Sequence, residues 1–332
     1  DARFEYVYKF VTERPMDPRN RKANLDLLDH GTLYAAHFAV GEEAGDERGE
    51  GMSLPLIPGA TSPVEGAPGL AGWSQAEILL NTRGAADAMG ATPMDRPEDI
   101  EVSPRTGRVY IALTNNSRRD GAPGDTRMVN GREVSSAPDE ANPRNHTYDS
   151  DDPERLTGNA HGHVIELAED GDAGAPTFHW DILVKCGDPA VPAHDCRFGD
   201  LSGEDAVRAG VSPISDPDNL VHDDDGNLWI ATDGMAGSGG AKGFGQNDGV
   251  FAVPVAGPER GRLRQFLSGV PGGEVCGPEF SGDNRTFFCA IQHPHSGGAF
   301  ERHWPLDEAH RDRVSKPALI AVRERRSRKV GA

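Results

Sequence analysis

Asp216-Pro217-Asp218-Asn219-Leu220-Val221 is followed by a turn over residues 223–226 and by Asn227-Leu228-Trp229-Ile230-Ala231-Thr232. A polar start, a short strand, an Asp/Gly turn and an aliphatic strand make a β-hairpin. The same unit occurs earlier, as Arg96-Pro97-Glu98-Asp99-Ile100-Glu101-Val102, a turn over residues 104–107 and a strand over residues 108–114. It recurs as Gly277-Pro278-Glu279-Phe280, a turn over residues 282–284 and a strand over residues 286–291. Further pairs lie between, residues 162–167 with 177–184 and 249–255 with 265–267. Hairpins repeating every ~40–60 residues predict the blades of a β-propeller, an all-β fold, and about four blades are recognisable. Residues 41–69, acidic and rich in Gly and Pro, read as a long surface loop, and residues 115–160 as a second insertion.

Composition supports short elements joined by turns. Of 332 residues, 41 are Gly and 25 Pro, which argues against a helical bundle. The best helix candidate covers residues 74–89, with Ser74 as N-cap and Glu77 in the capping-box position. The chain enters directly into Phe4-Glu5-Tyr6-Val7-Tyr8-Lys9-Phe10, whose alternation predicts a strand. With the blade count, this leads us to expect a single propeller domain over residues 1–332 that lacks its N-terminal blades. A net charge of -19 repels a phosphate backbone and excludes nucleic acid as a partner. No apolar run approaches the ~20 residues of a membrane span.

In a propeller the first residues of the inner strands face the central channel, where a charge is costly unless it binds something. Three repeats place polar groups there: Arg96, Glu98 and Asp99; Asp218 and Asn219; Glu274 with Glu279. Carboxylates from separate blades supply the hard oxygen ligands that calcium prefers. The plainer reading is that these side chains satisfy turn backbones, and repetition at one blade position favours the ligand reading over it. Arg96 stands two residues before Glu98 and is a candidate for bidentate capture of a phosphate or carboxylate. His161-x-His163 and His293-Pro294-His295 are weaker metal candidates, more economically read as packed or hydrogen-bonded residues. Cys186 and Cys196 are either buried thiols or a loop disulfide, and no CxxC occurs. Ser202-Gly203 and Gly237-Ser238-Gly239-Gly240 read as flexible loops.

Longer motifs carry a resemblance. They include Leu27-Leu28-Asp29-His30-Gly31-Thr32-Leu33-Tyr34, Gly90-Ala91-Thr92-Pro93-Met94-Asp95-Arg96-Pro97-Glu98-Asp99 and Phe178-His179-Trp180-Asp181. Pro217-Asp218-Asn219-Leu220, Gly226-Asn227-Leu228-Trp229-Ile230-Ala231-Thr232-Asp233-Gly234 and Glu274-Val275-Cys276-Gly277-Pro278-Glu279-Phe280 follow in order. In these the chain resembles the PhoX family of secreted alkaline phosphatases. The resemblance implies a six-bladed propeller in the intact protein, with calcium and ferric iron in its channel. It implies hydrolysis of small-molecule phosphate monoesters and twin-arginine export to the periplasm or outside. By the same resemblance Arg96 is the phosphate-binding arginine, while Glu98, Asp218 and Glu274 are metal ligands. The family's iron-ligating Cys-Glu-Glu motif has no counterpart here, and His161 and His295-Ser296 depart from the family pattern near the expected channel mouth. A calcium-dependent propeller hydrolase of another class, lactonase-like, is the first rival reading, and a non-catalytic metal-binding propeller the second. Arg96 in the channel weighs against a neutral substrate.

Overall fold

A computed structural model of the chain describes residues 2–43, 45–143, 158–235, 246–294, 304–305, 316–325 and 328–331. Its strands form radial antiparallel sheets, as the hairpin repeats predict. Pro97–Val102, Val109–Leu113, His163–Glu169 and Thr177–Lys185 are neighbours in that order and make the first blade. Pro217–His222, Leu228–Thr232, Gly249–Val253 and Arg264–Ser268 make the second, and Glu274–Phe280, Thr286–Gln292 and Ala318–Arg323 the third. The inner strand of the second blade packs beside the inner strands of the other two. Apolar faces fuse where blades meet: Tyr110, Ala112 and Leu183 of the first join Leu220, Ile230 and Phe251 of the second in one buried cluster. Trp229 stands edge-on to Phe266 and Phe280 and tilted against Phe287, which seals the second blade to the third. Cys186 and Cys196 are buried in the first of these clusters.

The region read as a loop over residues 41–69 holds a strand, Arg48–Pro55. It pairs with Gly31–Phe38 on one side and Thr177–Lys185 on the other, so a three-stranded sheet that begins at Tyr8–Thr12 continues into the first blade. The glycines that gave this segment its loop-like composition make room for aromatic rings. A Cβ at Gly51 would lie 2.1 Å from the Phe178 ring, and one at Gly49 would lie 3.1 Å from Trp180 Nε1. The expected first strand is likewise two: Arg3–Glu5 pairs with Met94–Asp95, with left-handed Phe4 (φ 61°) bulged out and buried under the Arg119 guanidinium, while Tyr8–Thr12 pairs with Gly31–Phe38 in a different sheet.

Residues 74–89 form two helices, Gln75–Leu80 and Thr82–Met89. The Ser74/Glu77 capping box is present, but Asn81 breaks the run. Its N–H donates to Glu77 O (2.9 Å) while its side chain accepts from Gly84 N (3.2 Å), so it closes one helix and opens the next. The second insertion contains the hairpin Thr126–Val129/Arg132–Ser135, turned by Asn130-Gly131 with both φ positive. Ser202 ends a two-residue strand and Gly203–Arg208 is a short helix, so this pair is ordered structure and not a flexible loop. Residues 237–240, the acidic stretch over residues 149–154 and His295-Ser296 lie outside the described residues.

Each inner strand carries the same irregularity. Pro97 faces Leu113 and Ile100 faces Ile111; Pro217 faces Thr232 and Leu220 faces Ile230; Cys276 faces Ala290 and Glu279 faces Phe288. In each case the inner strand spends one residue more than its partner, which is a β-bulge. The bulged pairs are Glu98-Asp99, Asp218-Asn219 and Gly277-Pro278. The second members of the first two stitch blade to blade: Asp99 Oδ2 accepts from Leu220 N (2.9 Å), and Asn219 Oδ1 accepts from Gly277 N (2.8 Å). Asp99 and Asn219 therefore do satisfy backbone, but that of the next blade. The first members, Glu98 and Asp218, lie one residue earlier in the same bulges.

Candidate active site

The register corrects one expectation from the repeats. Glu98 and Asp218 are equivalent, but Glu274 is not their third copy, since Gly277 occupies that bulge position. Glu279 belongs elsewhere too, beside Glu101, whose carboxyl is raised by burial and by Asp99 and Glu279. Glu274 instead lies at the start of its strand opposite Gln292, which donates to its Oε1. From there it still reaches the common cluster. Burial pushes the Asp218 carboxyl up to about 8, and the charges of Glu98, Asp233 and Glu274 add to this against the pull of Arg96. Thus the structure brings Arg96, Glu98, Asp218 and Glu274 into one electrostatic neighbourhood. His293, at the end of the same hairpin, is exposed with Nε2 4.0 Å from Glu274 Oε2. His163 is held inside the fold, with Nδ1 2.9 Å from the Asn159 amide and Nε2 2.8 Å from Ala141 O, which fits the packed reading.

Asp216, Asp233, Asp248 and Asn115 belong to this neighbourhood and were not singled out from the sequence. Burial raises Asp233 to about 7, with Glu274, Asp248 and Asp216 contributing. It also raises Asp216 to about 7, opposed by hydrogen bonds from Ser215 and Asn115. Asp248 is raised by burial even though Thr232 Oγ1 and the N–H groups of Gly234 and Met235 donate to its Oδ1. A signal for Asp233 was present in Thr232-Asp233-Gly234: Thr232 faces Pro217 across the bulge, so the next residue emerges at the same end of the blade.

Arg96 and Asp216 occupy the same slot in successive blades, each just before the proline and each left-handed at φ 54°. For residues with a side chain this conformation costs of order 1–3 kcal/mol, and such strain concentrates at functional sites. Asn115 spans the two slots. Arg96 Nη1 donates to its Oδ1 (3.3 Å), and its Nδ2 donates to Asp216 Oδ1.

The donor set is hard oxygen under like-charge crowding, the environment that a divalent cation relieves. Among the described residues, no group of three or more His, Cys, Asp or Glu closes around one point as a ready metal cage. The set does not suit an iron held by thiolate. Cys276 adjoins the cluster, but burial and the charges of Glu274, Asp218 and Asp233 raise its thiol to about 11.

The bladed all-β fold thus carries an arginine among carboxylates at its inner strands. The family model described as alkaline phosphatase PhoX matches residues 1–295, and the chain belongs to that family. Among solved structures it is similar to Pseudomonas fluorescens PhoX in complex with vanadate, a transition state analogue, at 32% identity and a TM-score of 0.70. That likeness covers 100% of this chain and 51% of the other, so the chain spans about half the length of its solved relative. No curated protein matches the chain.

Proposed function

We propose that the protein hydrolyses small-molecule phosphate monoesters with the help of metal, and that Arg96, Glu98, Asp218 and Glu274 are this chain's share of the active site. The observation that carries the reading is the convergence of Arg96 with crowded carboxylates from three blades, in a chain of the PhoX family. Calcium takes six to eight oxygen ligands. Glu98, Asp218 and Glu274 would supply part of that sphere, and water or further protein oxygens the rest. A cation held there supplies Lewis-acid charge at the phosphoryl group. Arg96 presents a planar fork of donors to two phosphoryl oxygens and fixes the ester's orientation. The surrounding carboxylates repel an anionic ester until their charge is compensated, so binding of substrate depends on prior loading of cation.

Calcium as the resident ion and export to the periplasm or outside by the twin-arginine route are parts of the same proposal, supported by the family. Among the described residues no helix is long and apolar enough to cross a membrane.

The test uses Arg96→Lys and Glu98→Gln in the full-length protein, with calcium stoichiometry and the inhibition constant of inorganic phosphate as readouts. Arg96→Lys keeps the charge and loses the fork; it should leave calcium bound and weaken phosphate roughly ten- to hundredfold. Glu98→Gln should lower calcium content and rate together. Unchanged phosphate inhibition in the first variant would make Arg96 a structural partner of the carboxylates. Full calcium content in the second would remove Glu98 from the ligands.

A further inference from the structure

Behind Arg96 runs a hydrogen-bonded column that the proposed chemistry does not use. Asn115 is 8% exposed, Asp216 3%, Ser215 0% and His161 1%. Arg96 donates to Asn115 Oδ1, and Asn115 Nδ2 donates to Asp216 Oδ1. Ser215 Oγ donates to Asp216 Oδ2, and His161 Nδ1 lies 2.9 Å from the same Oγ. The backbone binds the column as well: Asp216 N donates to His161 O (2.9 Å) and Asp233 N to Asp216 O (3.1 Å). His161 meets the half-buried His194 ring at a centroid distance of 4.6 Å.

With the Asp216 carboxyl ionised, the direction of every bond in the column follows. Arginine has no acceptor, so the Asn115 face toward Arg96 must be its oxygen. The Asn115 amide nitrogen is then left for Asp216. A hydroxyl has one hydrogen; since Ser215 gives it to Asp216, His161 must donate from Nδ1 to Ser215 Oγ. Gly234 completes the packing, for a Cβ there would lie 2.7 Å from Asp216 Cγ. Arg96 has a long, rotatable side chain and a strained backbone, so its guanidinium needs an external fix to point one way.

We propose that Asn115 is the positioning residue of the phosphate clamp, with Asp216, Ser215 and His161 locking its amide so that Oδ1 aims the Arg96 guanidinium. This rests on the reading of Arg96 as the phosphate-binding group. A column that served only to satisfy buried polar atoms would affect stability and leave phosphate binding alone.

The experiment is a double-mutant cycle in the full-length, calcium-loaded protein, using Asn115→Leu, Arg96→Lys and the pair. Its readouts are the inhibition constant of inorganic phosphate, KM and kcat for an aryl phosphate monoester, calcium content and melting temperature. Asn115→Leu should raise the phosphate inhibition constant and KM about tenfold with calcium content intact. In the Arg96→Lys background the same change should matter less than about twofold, because no fork remains to be aimed. If Arg96→Lys weakens phosphate while Asn115→Leu only lowers the melting temperature, the positioning role is overturned and the clamp stands. If the two effects simply multiply, Asn115 acts independently of Arg96 and the inference fails. If neither substitution moves the inhibition constant, the clamp reading falls and takes the inference with it. Should Asn115→Leu fail to fold, Ser215→Ala takes its place. It should raise the inhibition constant about threefold through the loosened Asp216, again only when Arg96 is present. An unchanged constant in that variant overturns the proposal.

Discussion

Two acidic clusters in this protein have opposite electrostatics. On the outer side of the first blade, Arg108, Arg260, Arg197 and Lys185 alternate with Glu166, Asp181, Glu47 and Asp195 in a continuous ladder of ion pairs. Glu166 is 3% exposed, and there each buried carboxylate has a cation, with Tyr110 Oη donating to Glu166 as well (2.6 Å). At the inner strands Glu98, Asp216, Asp218, Asp233, Asp248 and Glu274 crowd together, and Arg96 is the cation that Asp216, Asp218 and Asp233 sense. The first cluster is complete as it folds and works as a clasp. In the second, burial and like charge together raise Asp216, Asp218 and Asp233, the setting in which the proposed cation would act.

The largest effect should come from breaking the clasp. Glu166→Ala leaves the Tyr110 hydroxyl without its buried acceptor, takes Arg108's partner and leaves Arg260 only Asp181, and should cost about 3 kcal/mol, read as a lower urea midpoint at constant m-value. Phosphatase turnover per folded molecule should be unchanged; a stable Glu166→Ala protein would erase the distinction between the clusters. The mirror experiment is Asp218→Asn. In the metal-free protein at pH 9 it removes a carboxylate that resists ionisation, so stability should rise by about 1–2 kcal/mol while the gain from added calcium disappears. Destabilisation by Asp218→Asn would mean that this cluster, too, is already compensated.

A pH series sharpens the same contrast. Asp218, raised from 3.8 to about 8, and Asp233, raised to about 7, keep their protons in the folded chain where the unfolded chain has lost them. The folded state therefore binds more protons between about pH 4 and 8, and stability falls as pH rises through that window. The metal-free melting temperature should drop by about 5 °C from pH 5 to 9, and calcium should restore more at pH 9 than at pH 5. A flat profile would contradict the crowding. The smallest effect belongs to the stitches: Asn219→Ala loses one bond to Gly277 N, for about 1 kcal/mol and no change in calcium content.

What the sequence makes legible is local pairing. Asp/Gly turns between aliphatic strands set the hairpins, and their spacing sets the blades. Arg48–Pro55 escaped because its glycines serve Phe178 and Trp180, far along the chain, and only the assembled sheet reveals that use. Arg96, Glu98 and Asp218 were visible because they recur beside a proline in successive blades. Glu274 was visible for a reason the register does not support, and the bulge moved it out of the repeat. Asp216 and Asn115 were hidden for a further reason. The repeat aligns pre-proline Asp216 with pre-proline Arg96, but that both enter one site shows only when Asn115, from a different stretch of chain, bridges them.

The stitches also impose an order in time. Asp99 waits for Leu220, and Asn219 waits for Gly277, so the first two bulges are fastened by chain that a ribosome makes later. Contacts between such distant positions close slowly and late. A nascent chain holding Glu98, Asp218 and Asp233 but not yet Glu274 has only part of the crowded pocket. Under the proposed function, full capture of a cation would then wait for the third blade, and a chain truncated before it would bind the ion more weakly.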